Sequence, residues 1–174
     1  MAGSLEFIKS VEVTTSSSSV DVTDCFSADY DVYKITTNDF STVGTTNTGL
    51  DMRFLDSVGS VVSDSDYDIA YLTMKAETLF TQDRGTNRSL LENFFSITDQ
   101  SPEATSSVSY VFNPFSSSSY TFVLNQSARF AAGSFRGQKY IGVLRQSATM
   151  SGFRLFELNT RPFDEGKISV YGVK

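Results

Sequence analysis

The chain has 174 residues, 40% of them hydrophobic, which suffices for one domain with its own core, so residues 1–174 are treated as a single domain. The net charge is −6 and the 14 Lys and Arg side chains are scattered, so no nucleic-acid surface is expected. The chain has no His, which excludes Ser-His-Asp and Cys-His nucleophile pairs and imidazole metal sites.

Two further properties of the sequence concern localisation and secondary structure. No stretch approaches about 18 consecutive apolar residues, and the first ten residues lack the basic start and apolar run of a signal peptide. We therefore expect no membrane insertion and no export. The chain contains 27 Ser, 18 Thr, 15 Phe and 8 Tyr, a composition that favours strands and turns over long helices.

The first half of the chain predicts five strands from alternating side chains. In the first, over residues 5–14, Leu5, Phe7, Val11 and Val13 share one parity, with Lys9 as the exception. A serine connector and a short strand at 20–22 follow, and then strands at 30–37, 50–54 and 67–74. The segment at 30–37 is rich in aromatic and β-branched residues.

Residues 77–101 carry the weakest pattern. Ser89 and Glu92 have the spacing of a helix capping box, so residues 89–95 could form one or two helical turns, with a strand as the equal alternative. Asp83, Arg84 and Gly85 are expected at a loop tip.

The second half predicts five more strands. Val108, Tyr110 and Phe112 alternate with serines, and a turn joins this strand to one at 120–124 as a hairpin. Strands at 139–146 and 152–158 precede the final strand at 166–174, where Ile168 and Val170 share one face. About ten short strands predict an all-β fold, an antiparallel β-sandwich of jelly-roll type.

The acidic cluster Asp64, Asp66 and Asp68 is the one local arrangement that resembles a site. Alternating carboxylates supply the oxygen ligands that Ca²⁺ takes, but an EF-hand loop needs Gly and Glu where this chain has Ile69 and Lys75. The alternative is a solvated sheet edge whose like charges discourage aggregation. The cluster is therefore a weak candidate cation site, and no catalytic or cofactor-binding residue is predicted.

Two other features leave alternatives open. Cys25 cannot form an internal disulfide, so it is either a small apolar residue near a strand end or a reactive or intermolecular thiol. Several aromatic residues fall at strand ends or in loops, where they could plug the sandwich, anchor a subunit interface or stack on sugars. These residues are Phe40, Phe80, Phe115, Phe130, Phe135 and Phe163.

Short landmarks at the two ends of the chain support a family resemblance. An apolar strand, a serine run and a short strand lead to Tyr30, Tyr33 and Lys34, and the chain finishes with Gly166, Ile168, Tyr171 and Gly172. In this order of landmarks the chain resembles a set of small β-sandwich proteins and domains of tailed bacteriophages, many of them marine. Val170 stands where that set usually has Leu, and residues 77–101 match nothing in it.

The resemblance implies a non-enzymatic virion protein, assembled in the host cytoplasm, with no cofactor. Its place would be the tail or tail fibre, where loops can touch the host, or alternatively the head, as a capsid decoration or cement protein. The partners it implies are other virion proteins. The many strand edges and aromatic loops predict in addition that copies of the chain associate, with a trimer as one candidate state, and exposed loops could contact a host surface glycan. A carbohydrate-binding or carbohydrate-cleaving module is the alternative from another class.

Overall fold

The structure, a computed structural model, describes residues 4–14, 17–44, 48–77, 80–98, 103–131 and 133–174. These residues contain twelve strands and no helix, which confirms the predicted all-β class. The described residues accordingly contain no helix long and apolar enough to cross a membrane. The strands are β1 (Leu5–Thr14), β2 (Ser19–Val22), β3 (Val32–Phe40), β4 (Thr48–Asp56), β5 (Tyr67–Lys75), β6 (Thr81–Arg88), β7 (Leu91–Ile97), β8 (Thr105–Phe112), β9 (Thr121–Ala131), β10 (Ser134–Leu144), β11 (Met150–Phe156) and β12 (Glu165–Val173).

The strands form two antiparallel sheets that enclose one core. The larger sheet has the order β1-β12-β3-β8-β9-β10-β5-β6, and the smaller has the order β2-β11-β4-β7. Strands from the two ends of the chain pair in a nested way, β1 with β12 and β2 with β11, as in a double-layered Greek-key sandwich. The antiparallel sandwich is confirmed, and the jelly-roll assignment stays a prediction.

The two strands beyond the predicted ten are β6 and β7, both in the weakly patterned central segment. The expected loop tip is wrong, because Asp83 and Arg84 lie inside β6 and pair with Tyr71 and Ala70 of β5. The capping-box alternative is also wrong, because Leu91 begins a strand. That strand buries its apolar side chains against the core instead of winding into a turn.

Strand β1 changes face at a bulge. Its register against β12 shifts between Phe7 and Lys9, and a bulge rotates the following side chains to the other face. Phe7 therefore points outward beside Tyr171, while Val11 pairs with the buried Ile168. The expectation that Leu5 and Phe7 share a face with Val11 and Val13 is wrong. Lys9 faces inward and donates a 2.7 Å hydrogen bond to the Thr23 carbonyl.

The final strand behaves as its alternation predicts. Ile168 and Val170 are fully buried, and β12 lies between β1 and β3 in the interior of the larger sheet. The ring of Tyr30 rests against Gly172, at a place where a Cβ atom would collide with the ring. The landmarks at the two ends of the chain therefore touch one another in the fold.

Candidate functional site

The acidic cluster is occupied by side chains that follow β10. Arg145 forms ion pairs with Asp66 at 3.8 Å and with Asp68 at 3.3 Å. Gln146 donates hydrogen bonds of 3.1 Å to Asp64 and 3.0 Å to Asp66. Only Asp68 lies within a strand, so the three side chains do not line one strand face. Across the described ranges, no group of three or more His, Cys, Asp or Glu side chains is placed to hold a metal ion.

Cys25 lies in the core beside the start of the sandwich. Its side chain is 2% exposed, and its Sγ is 3.4 Å from the Val22 carbonyl. Burial raises the pKa of the Cys25 thiol to about 12, which keeps it protonated at neutral pH. The apolar alternative therefore fits this residue better than the reactive one.

The aromatic residues at strand ends and in loops divide into two groups. Phe40 and Phe163 are fully buried and pack edge to face with 5.1 Å between ring centroids, so they close one end of the sandwich. The other four are exposed, namely Phe80, Phe115, Phe130 and Phe135. Phe130 and Phe135 face each other across the β9–β10 hairpin.

Strands β8, β9 and β10 place many of their apolar side chains on the outer face of the larger sheet, away from the core. In β8, Ser107 and Ser109 are buried while Val108 and Tyr110 are exposed, the reverse of what the serine alternation suggests. The buried hydroxyl of Ser107 lies 2.8 Å from that of Thr37. The Ser109 hydroxyl accepts a 2.8 Å hydrogen bond from the side chain of Asn125.

Strand β7 explains why the inner face of β8, β9 and β10 is polar, because β7 forms an edge of the smaller sheet. An edge strand has a row of backbone groups without strand partners, and burial makes such groups costly unless they are hydrogen-bonded. Each of three strands of the larger sheet supplies one donor. Thr105 donates to the Ser96 carbonyl at 2.9 Å, Arg129 to the Ile97 carbonyl at 3.1 Å, and Gln138 to the Asn93 carbonyl at 2.7 Å. These side chains close the β7 edge from inside the molecule.

The displaced apolar side chains form a continuous surface on the outside of the larger sheet. Phe112, Phe122 and Val143 make one row across β8, β9 and β10, and Tyr110, Leu124 and Ile141 make the next. We call these six residues the outer block. Leu124 is 44% and Ile141 is 51% exposed. In the next row, Val108 and Leu72 lie on either side of the polar pair Gln126 and Lys139. Met74, Phe130 and Phe135 lie beyond that pair.

A shallow groove of about 720 Å³ lies along one side of the outer block. Its floor is low at Ala70, whose small side chain sits beside Ile141 in the pairing of β5 with β10. Asp68, Arg84 and Thr86 supply its polar rim. The outer block and this groove adjoin each other on the outside of the sandwich.

Charged residues flank the outer block on both sides. Lys34 on β3 pairs with Tyr110, and Asp68 on β5 pairs with Val143. Since β3 and β5 are each two strands away from β9, the basic and acidic groups are equally far from the centre of the block. Lys34 and Lys139 form no ion pair within the described part of the chain.

The buried carboxylate of Asp51 is the main electrostatic feature of the smaller sheet. Asp51 is 3% exposed and accepts a 2.8 Å hydrogen bond from the backbone of Asn93, across the irregular pairing of β4 with β7. Asn93 there adopts a left-handed φ of 50°, which Asn tolerates better than most residues. Burial raises the pKa of the Asp51 carboxyl to about 6.

Sequence reasoning did not find the outer block, although the sequence carries a signal for it. In β9, Val123 points to one face and is buried, whereas Phe122 and Leu124 point to the other face and are exposed. Both faces of this strand therefore carry apolar residues. Apolar residues on both parities are typical of strands that are covered on both faces. In comparisons with known proteins, no family model matches this chain and no curated protein matches it.

Proposed function

We propose that this protein is a non-enzymatic structural subunit of a tailed-bacteriophage virion, a β-sandwich module of the tail or tail fibre that works by contact with neighbouring proteins. The observation that carries the contact role is the outer block with its apolar surroundings. The virion itself is proposed from the resemblance of the landmarks around Tyr30 and Gly172.

The size of the apolar surface supports an assembly role. Nine apolar side chains on this face are more than a third exposed. They are Leu72, Met74, Val108, Tyr110, Phe122, Leu124, Phe130, Phe135 and Ile141. Contiguous apolar patches larger than a few hundred Å² are rare on monomeric proteins and often bind a partner. Leaving that much apolar surface in water is unfavourable, so a covering partner stabilises the subunit.

The two alternatives predict different contacts. A capsid decoration protein would use the same apolar face to bind the head lattice. A carbohydrate-binding module would need several converging hydrogen-bonding groups, as in other small-molecule sites. The groove beside the outer block is lined mainly by apolar side chains such as Leu124 and Ile141, so it supports a protein partner better than a sugar.

Labelling of intact virions tests the proposal. An antibody raised against the purified protein, detected by immunogold electron microscopy, should mark the tail of a phage that encodes it. Label on the head would support the decoration alternative, and absence of the protein from purified virions by mass spectrometry would refute a virion role. Binding of, or reducing-end release from, host surface polysaccharide would favour the carbohydrate alternative.

A further inference from the structure

We propose that the outer block is the interface of a two-fold symmetric homodimer, in which the larger sheets of two copies pack face to face. This inference rests on the proposed function, because it names the first partner of the structural subunit as a second copy of the same chain. Three observations support the homodimer: the area of the face, the charged residues on its two sides and the shape of its surface.

The area matches a standard interface. A stable protein–protein interface buries about 800 Å² on each partner. The outer face of β3, β8, β9, β10 and β5 measures about 24 Å across the strands and about 30 Å along them, a footprint of about 700 Å² that includes Gln126 and Lys139. Two sheets that pack face to face lie about 10 Å apart with side chains interdigitated, an arrangement that requires large apolar residues in adjacent rows. The two rows of the outer block provide them.

The β3 and β5 sides of the block carry different charged residues. An isologous interface requires one surface to match itself after a two-fold rotation. An axis over β9, running roughly along the strand, superimposes the β3 side of one copy on the β5 side of the other. Lys34, which has no ion-pair partner within its own described chain, then lies diagonally opposite Asp68 of the partner copy. Asp68 already pairs with Arg145 of its own chain at 3.3 Å, so Lys34 joins an existing ion pair. Leu124 and Phe122 lie on the axis and meet their own copies.

The shape of the surface follows the same two-fold symmetry. On the β5 side, Ala70 leaves the depression of the groove beside Ile141. On the β3 side, Tyr110 and Lys34 are long side chains at the corresponding position. The two-fold rotation places these long side chains over the depression, so a projecting surface meets a recessed one. Lys139 lies one row from the block beside Gln126, so its flexible side chain must extend along the interface to bring its amino group to water.

The test uses the purified full-length chain. Light scattering after size exclusion, over about 1 to 100 µM, should give a dimer for the natural protein. Leu124→Asp places a charge at the centre of the apolar face and should raise the dissociation constant at least about a hundredfold. Leu158→Asp is the matched control, because Leu158 is 59% exposed in the connection after β11, away from the outer block, and it should leave the dimer intact.

Cross-linking then tests the position of the axis. The single natural cysteine is buried, so Leu124→Cys introduces one accessible thiol. Two such thiols lie across an intersheet gap of about 10 Å, and a short bis-maleimide should join them into a covalent dimer. Leu158→Cys should give no such product at the same concentration. Circular dichroism and the urea midpoint of each variant establish that it is folded.

Each outcome decides the inference. A natural protein that stays monomeric at 100 µM, forms a trimer, or loses its dimer equally in Leu124→Asp and Leu158→Asp would overturn it. A folded Leu124→Asp monomer beside a natural dimer would support it. A monomer that is nevertheless found in virions refutes only the homodimer, whereas a dimer that is absent from virions refutes only the proposed function.

Discussion

Replacing Asp51 by Asn should stabilise the protein, and increasingly so at higher pH. The Asp51 carboxylate is almost fully buried and accepts the backbone N–H of Asn93 at 2.8 Å. An amide oxygen can accept the same hydrogen bond without a buried charge. The substitution therefore keeps the contact across the β4–β7 irregularity and removes the desolvation of an ion.

The magnitude follows from the shift of the Asp51 pKa from 3.8 to about 6 on folding. Because the folded state holds this proton more tightly than the unfolded state, stability falls as the pH rises between these two values. Linkage gives a loss of about 1.5 kcal/mol at pH 5 and of about 3 kcal/mol at pH 8, relative to a chain in which this site does not ionise. Asp51→Asn should show these gains as differences in the free energy of unfolding.

Urea denaturation followed by circular dichroism at pH 5, 6.5 and 8 measures the difference. The exposed residue Asp31 offers a matched control, because Asp31→Asn removes a charge that lies in water and so relieves no buried ion. If Asp51→Asn is less stable than the natural protein at pH 8, or if its advantage is the same at all three values, the account of a buried ionised carboxylate is wrong.

Three further predictions concern the interior. Gly152→Ala should lower the free energy of unfolding by about 2 kcal/mol or more, because the added methyl group would collide with the Val22 carbonyl of β2. Gln138→Leu should lower the free energy of unfolding by about 1–3 kcal/mol, because it leaves the Asn93 carbonyl of β7 without its donor. Gln126→Leu, on the outer face of the adjacent strand, should leave the free energy of unfolding almost unchanged, and equal urea midpoints for the two variants would contradict this. Cys25 should react with Ellman's reagent only at the rate of unfolding, and rapid labelling of the native protein would show that its burial is misassigned.

Much of the fold could be predicted from the sequence because alternation is a local property. Strand β12 shows this, since Ile168 and Val170 are buried as their parity indicates. Strands β6 and β7 could not be found in this way. The exposed edge strand β6 carries the sequence TQDRGTNR, which has no apolar face, and it is a strand only because β5 lies beside it.

The candidate site was harder to predict, because alternation shows which side chains share a face of a strand but does not show which face is turned toward the core. Ser107 and Ser109 face the core because neighbouring strands offer them hydrogen bonds, and Thr105 faces inward because it donates to a carbonyl of β7. These partners all lie outside β8, so the pattern of β8 alone assigns its two faces the wrong way round. The bulge after Phe7 is a second case, in which one irregular residue reverses the parity of a strand.

The nested pairing of β1 with β12 has a consequence for how the molecule is made. Strand β12 lies between β1 and β3, so neither neighbour completes its backbone ladder until residues 165–173 have left the ribosome. Contacts so distant in the chain form slowly, since a long loop must close before they are gained. During synthesis the nascent polypeptide therefore carries Ile35 and Val11 without these neighbours, and we expect the larger sheet to close only once β12 has been made.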